Sequence, residues 1–250
     1  MTLALETIGL EKHFGGLNVT RNLSLQVKAG ARHALIGPNG AGKTTVINLL
    51  TGVIAPDGGK ILLEGADITA MPVHRRVRQG LSRTFQINQL FADLTPLETI
   101  GLAVAERLGQ GTQMWRRRGT RPEINDEIEQ HLTNFRLLDV MNEPTVTLPY
   151  GKQRLLEIAL AIATGPRVLL LDEPAAGVPE IERHDILAAV ANLPRDVTVL
   201  LIEHDMDLVF SFADRISVLV SGALLVEGAP DEIARDPQVK AVYLGEAHDA

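Results

Sequence analysis

Short runs rich in β-branched residues and leucine, each closed by turn residues, recur at Leu23–Val27, Ala31–Ile36, Lys60–Leu63, Val168–Leu171, Val197–Ile202, Arg215–Val220 and Ala223–Glu227. Their length and bounding residues predict strands. Helical periodicity follows Gly42, where Val46, Ile47 and Leu50 share a face and Gly52 supplies a stop. The same period recurs in Ile124–Phe135, Gln153–Ala163, Glu180–Leu193 and Asp207–Phe212. Strand signals therefore occupy both ends of the chain, while the stretch from about Asn88 to Thr164 has almost none. The pattern predicts an α/β sheet lobe (1–87 and 165–250) interrupted by a helical lobe (88–164). Gly109–Arg121 breaks the helical lobe into two parts with a loop or a short amphipathic piece. No internal repeat or low-complexity tract is visible.

Composition narrows the class. A chain of 250 residues, 45% apolar and 22% charged, fits one large domain or two small lobes and excludes disorder and collagen-like repeats. The absence of cysteine excludes a disulfide framework and thiolate-ligated zinc or iron–sulfur sites. A net charge of −7 gives no general attraction to phosphate backbones, so nucleic acid is not expected as a partner. Met1–Leu10 has no positive residue ahead of its apolar stretch and does not read as a signal peptide. The longest apolar candidate, Leu155–Ala163, carries Glu157 and falls well short of the ~18 residues that span a bilayer, so a soluble cytosolic chain is expected.

The strongest chemical signal is Gly37-Pro38-Asn39-Gly40-Ala41-Gly42-Lys43-Thr44-Thr45, which fits G-x-x-x-x-G-K-[ST] between a predicted strand and a predicted helix. Glycines at 37, 40 and 42 let the backbone wrap phosphate oxygens. Lys43 is suited to bridge β- and γ-phosphates, and the Thr44 hydroxyl to ligate Mg²⁺. A nucleoside triphosphate is the implied ligand. The second half of such a site is Val168–Leu171 followed by Asp172 and Glu173, a continuous apolar run suited to a buried parallel strand that ends in two carboxylates. Asp172 is placed to hold Mg²⁺, and Glu173 to orient and polarise an attacking water, which favours a hydrolase over a binding module.

With these motifs in order, the sequence closely resembles the ATP-binding subunits of ABC transporters over nearly its full length. The resemblance implies a P-loop NTPase fold with a helical subdomain inserted in the sheet lobe. Arg83-Thr84-Phe85-Gln86 looks like the family's Q-loop, Leu148-Pro149-Tyr150-Gly151-Lys152-Gln153-Arg154 like its signature motif, and Ile202-Glu203-His204-Asp205 like its switch histidine. Phe14-Gly15-Gly16, Asp172–Gly177, Ile202–Met206 and Ala241–Ala247 are similar to the branched-chain amino-acid importer subgroup. The resemblance implies that Phe14 stacks on adenine and that Gln86 senses the γ-phosphate and Mg²⁺ from the hinge between the lobes. It implies too that His204 donates a hydrogen bond to the γ-phosphate.

In this family two ATPase domains close head to tail, each nucleotide lying between one chain's phosphate loop and the other's signature, here Tyr150, Gly151, Lys152 and Gln153. The motif departs from the usual L-S-G-G-Q: Pro149 supplies neither hydroxyl nor N–H, and Lys152 replaces glutamine. Gly151 still opens a helix whose N-terminus can face an anion, and Lys152 adds a positive charge. Pro179 stands where the family's D-loop carries an acidic or amide residue. The groups used in cis (Lys43, Thr44, Gln86, Asp172, Glu173, His204) are intact. Two arrangements are open: an asymmetric heterodimer whose stronger site combines these cis groups with a partner's signature, and a symmetric homodimer that tolerates the changes.

Trp115 among Arg116, Arg117, Arg118 and Arg121 suits either an anionic surface or a solvated loop with one anchored ring. The resemblance places permease docking near Gln86–Leu94. It implies the ATPase of an importer for branched-chain amino acids or a related small solute, using ATP and Mg²⁺, peripheral to the cytoplasmic face of the inner membrane. The alternatives are an exporter or lipopolysaccharide-transport ATPase, and a non-transport regulatory ATPase of the same type.

Overall fold

The computed structural model describes residues 2–84, 90–109 and 122–246. Gln86 and the rest of 86–89 in the expected docking segment, together with the Trp115 loop, lie outside these residues. In chain order the elements are β1 (Leu3–Phe14), β2 (Leu17–Leu23), β3 (Gln26–Lys28), β4 (Arg32–Ile36), α1 (Lys43–Thr51), β5 (Gly58–Leu63), β6 (Ala66–Asp67), α2 (Val73–Arg78) and β7 (Leu81–Arg83). They continue with α3 (Pro96–Arg107), α4 (Pro122–Asn134), α5 (Tyr150–Ala163), β8 (Val168–Asp172), α6 (Glu180–Ala191), β9 (Thr198–Ile202) and α7 (Met206–Phe212). The chain closes with β10 (Arg215–Val220), β11 (Ala223–Gly228), α8 (Pro230–Arg235) and α9 (Pro237–Glu246).

These elements gather into two compact units. The first takes the chain up to Arg83, Arg167–Glu173 and the residues from Pro194 onward; the second takes Thr84–Pro166 and Pro174–Leu193. Segment 174–193, grouped with the sheet lobe by the sequence reading, packs through α6 with α5.

The first unit holds two sheets. One is antiparallel, in the order β2-β1-β5-β6 with β3 also on β1; the other runs β11-β10-β4-β9-β8-β7 and is parallel except for the β10–β11 pair. Period-2 alternation sorts the parallel strands between two cores. Leu35, Val168, Leu170, Leu200 and Ile202 face a core shared with α1 and with Leu5, Leu10 and Ile61 of the other sheet. Ala34, Ile36, Ile216 and Val218 face the opposite side, where α7, α8 and α9 add Val209, Ile233 and Val239. The three central strands β4, β9 and β8 are buried at every position, which is why β8 and β9 read as nearly continuous apolar runs, while β4 also buries Arg32 and His33.

The expected strand over Leu23–Val27 is two strands. At Ser24 and Leu25 the chain leaves β2 and enters β3, both of which pair with β1. The Thr7 hydroxyl bridges the break, donating to Leu23 O at 3.0 Å and accepting from Leu25 N at 2.9 Å. β1 went unpredicted because a break in register near Gly9 interrupts its alternation.

In the second unit α3 packs on α4 and α5. Its start is a capping box: Glu98 N donates to Thr95 Oγ1 at 3.2 Å, Thr95 N donates back to Glu98 Oε2 at 3.1 Å, and Pro96 opens the helix. The Thr95-Pro96-Leu97-Glu98 run is the local sequence signal for that helix start. Among the described residues no helix is long and apolar enough to cross a membrane.

Candidate nucleotide site

The parallel register brings the carboxyl ends of β4, β9 and β8 to one edge of the sheet, where ligands of such folds bind. The phosphate loop leaves β4 there and enters α1 at Lys43. Gly37 is required by close approach: a Cβ at that position would lie 2.2 Å from Leu219 O in β10. Gly42, the left-handed N-cap of α1 at φ 101°, faces β2, and a Cβ there would stand 2.8 Å from Val19 O. The loop is thus clamped between β10 and the β1–β2 hairpin. Ala41 is buried and accepts a 2.9 Å bond from Gly222 N, while Asn39, Gly40 and Thr44 are exposed and Pro38 and Thr45 half-buried. Lys43 Nζ donates to Gly37 O at 2.6 Å and Pro38 O at 3.0 Å, so its ammonium is held inside the curl of the loop. No acidic residue sits in the first turn of α1, leaving its positive end uncompensated for an anion.

Asp172 ends β8 and is buried, with Oδ2 2.8 Å from the Arg83 guanidinium. Glu173 follows with φ 45°, a left-handed backbone that costs a non-glycine residue about 1 kcal/mol or more and turns the chain sharply off the strand. Its N–H donates to Ile202 O at 2.9 Å, anchoring that turn to the end of β9. His204 comes two residues after β9. Its Nδ1 lies 3.8 Å from Glu173 Oε1 and 3.5 Å from Glu203 Oε2, so His204 and Glu173 stand side by side.

Glu203, between β9 and the switch histidine, has a structural role that the motif does not announce. It is buried and accepts from His204 N at 2.9 Å and Asp205 N at 3.3 Å, bracing the turn that carries the histidine. Burial pushes its carboxyl up, against the two amides that favour the charged form. Asp205 then caps α7 by accepting from Leu208 N at 3.2 Å. Phe14 stands half exposed at the end of β1 with Lys12 Nζ 5.6 Å from its ring centroid, a ring face fit for stacking.

A divalent cation is implied by the motifs, and the donor set fits Mg²⁺. One hydroxyl, Thr44, and one carboxylate, Asp172, lie on elements joined through Arg83, whose other terminal nitrogen donates to Asn48 Oδ1 of α1 at 2.8 Å. Among the described residues no cluster of three or more histidine or acidic side chains could hold a metal alone. Mg²⁺ characteristically takes one or two protein ligands and completes its shell with phosphates and water.

The signature residues lie in the second unit, at the start of α5, with Pro149 as N-cap. Gly151 N donates to Glu182 Oε2 of α6 at 2.7 Å, so a carboxylate of the same chain sits on the helix N-terminus. Lys152 Nζ is drawn to Asp139 at 2.8 and 3.0 Å, Gln153 Nε2 donates to Leu148 O at 2.9 Å, and Tyr150 Oη lies 3.5 Å from Ala176 O. Neither Glu182 nor Asp139 was anticipated. Their partners are fixed by helix packing, which no local pattern announces.

Against known proteins, the family described as ABC transporter matches residues 20–176, and that described as branched-chain amino acid ATP-binding cassette transporter matches residues 223–249. The chain is 43% identical to the high-affinity branched-chain amino acid transport ATP-binding protein BraF of Pseudomonas aeruginosa, covering 97% of this chain and 98% of that protein. It is 41% identical to LivG of Salmonella typhimurium, with 96% of each covered. A crystal structure of the ADP conformation of an ATP-binding cassette of an ABC transporter superposes with a TM-score of 0.80 at 30% identity, covering 98% of this chain and 99% of that one. A nucleotide-free ATP-binding cassette gives the same TM-score of 0.80 at 29% identity, with 97% and 99% covered. Phosphate loop, strand-end carboxylates and full-length similarity agree: the chain belongs to the ABC transporter family, as an ATP-binding cassette that hydrolyses ATP.

Proposed function

We propose that this ATPase powers a branched-chain amino-acid importer from the cytoplasmic face of the inner membrane, beside separate permease subunits and paired with a second ATPase subunit. The observation that carries the solute class is the match of residues 223–249 to a branched-chain amino acid family. That segment follows the last motif of ATP chemistry, so shared ATPase chemistry does not explain it.

The residues divide the work of hydrolysis. The backbone N–H groups of the phosphate loop and the Lys43 ammonium would hold the β- and γ-phosphates, Phe14 would stack on the base, and Thr44 and Asp172, with Gln86, would hold Mg²⁺. The metal supplies positive charge that offsets the charge spread over the transferring phosphoryl group. Glu173 orients a water in line with the γ-phosphorus and accepts its proton. As the new P–O bond forms, the bond to the β–γ bridging oxygen breaks and ADP departs with the electron pair. His204, steadied by Glu203, donates to the γ-phosphate oxygens, and Gln86 reports the state of the site. Positioning and electrostatics account for the rate, as is usual for phosphoryl transfer.

The test is uptake of labelled leucine, isoleucine and valine in cells lacking this chain, complemented with wild type or with Glu173→Gln. Uptake is expected to return with wild type and to remain at least about 100-fold lower with Glu173→Gln, the size of a lost general base. Unchanged uptake on deletion overturns the solute assignment.

A further inference from the structure

Arg83 joins two of the three residues proposed for the metal site, a role that rests on reading Thr44 and Asp172, with Gln86, as its ligands. β7 pairs with β8 in parallel, Arg83 standing opposite Leu170, so its side chain starts from the same sheet edge as Asp172. One terminal nitrogen reaches Asp172 Oδ2 at 2.8 Å, and the other reaches Asn48 Oδ1 at 2.8 Å. The Arg83 and Asp172 side chains are only 10% and 4% exposed, so their attraction is little screened and water does not compete for either group. Asn48 follows Thr44 by four residues on α1, one turn along the same helix face. A single planar fork therefore ties the strand that carries the metal carboxylate to the helix that carries the metal hydroxyl. Only a guanidinium offers two donors in that fixed geometry; an ammonium satisfies one acceptor at a time.

We propose that Arg83 is the positioning residue of the metal site, fixing the rotamer of Asp172 and clamping its strand to the helix of Thr44 so that Mg²⁺ meets both ligands preset. It does not touch the reacting atoms. Residues that orient metal ligands in this way commonly set 10- to 100-fold of metal affinity.

The test is titration with a fluorescent ATP analogue in excess Mg²⁺ and in EDTA, for wild type, Arg83→Met, Arg83→Lys and Asn48→Ala. Circular dichroism confirms folding. Wild type is expected to bind more tightly with Mg²⁺. Arg83→Met should lose about tenfold or more of affinity in Mg²⁺ while staying within about twofold of wild type in EDTA, because the phosphate loop is untouched. Arg83→Lys and Asn48→Ala, which each give up one half of the fork, should fall between. Equal losses in both buffers make Arg83 a structural support and overturn the inference, as does no loss in either buffer. Arg83→Lys behaving as wild type also overturns it, since charge alone would then suffice. If Arg83→Met fails to fold, the Lys and Ala variants carry the same comparison. A wild type indifferent to Mg²⁺ overturns the metal reading itself, a result visible before any variant is compared.

Discussion

His33 shows how burial of one imidazole makes the stability of the sheet depend on pH. The ring is buried in β4, its Nε2 lies 2.8 Å from Ser217 Oγ, and Ser217 donates onward to Glu227 Oε2 at 2.7 Å. Because the serine proton is committed to Glu227, His33 must donate through Nε2–H, which fixes its tautomer. Burial pushes the imidazole down to about 4, outweighing the attraction of Glu227, with Arg215 adding to the depression. The unfolded ring titrates near 6.5, so between 6.5 and 4 the unfolded chain binds the extra proton and stability rises with pH. The full contribution is present above pH 6.5. About 3 kcal/mol is expected to be lost as the pH falls to 4. Urea unfolding across that range checks this, and His33→Gln should flatten the slope by that amount.

At the scale of elements, the helix behind the phosphate loop depends on a distant arginine. α1 ends at the left-handed Gly52, and its last carbonyls are taken up by Arg76 of α2, which donates to Leu49 O at 2.8 Å and Leu50 O at 2.6 Å. The same buried guanidinium reaches Met71 O and Thr69 O at 2.8 Å each. Four carbonyls thus converge on one cation, two of them at the negative end of the helix, where Leu49 O also accepts from Gly52 N at 3.1 Å. Arg76→Met should cost about 3 kcal/mol in urea unfolding, since each charge-assisted bond carries a kilocalorie or more and those to Leu49 and Leu50 are buried. Periodicity displayed α1 and its Gly52 stop in the sequence, whereas Arg76 sits in a short helix with no apolar stripe and gave no signal.

For the whole molecule, the groups that the family resemblance would have the signature offer to a partner are already engaged within the chain. Pro149 brings neither hydroxyl nor amide, the Gly151 amide is held by Glu182, and the Lys152 ammonium by Asp139. The sequence suggested that Lys152 and the helix N-terminus could compensate for the missing serine; both are committed elsewhere in the fold. Glu173→Gln protein, in which hydrolysis is expected to be blocked, is therefore expected to stay monomeric with ATP and Mg²⁺ in light scattering, and to dimerise when a second ATPase subunit with an intact signature is added. ATP turnover of the chain alone should rise severalfold in Pro149→Ser. A nucleotide-dependent homodimer, or equal turnover, removes the asymmetric arrangement.

The features legible in the sequence are those whose cause is local. A glycine-rich loop between an apolar run and an amphipathic stretch fixes its own geometry, and an apolar run ending in Asp172 and Glu173 announces a buried strand with its chemistry at one end. Family order extended that reading to Gln86, the signature and His204, with Gln86 outside the described residues. Tertiary structure decided which side chains meet. Arg83 finds Asp172 across 89 residues, Glu182 finds Gly151 across 31, and His33 finds Ser217 across 184. Such pairs depend on sheet order and helix packing, which hydrophobic pattern constrains only by face. Chain-local stereochemistry is written residue by residue, whereas the pairing of buried polar groups is settled only when burial removes the water that would otherwise satisfy them.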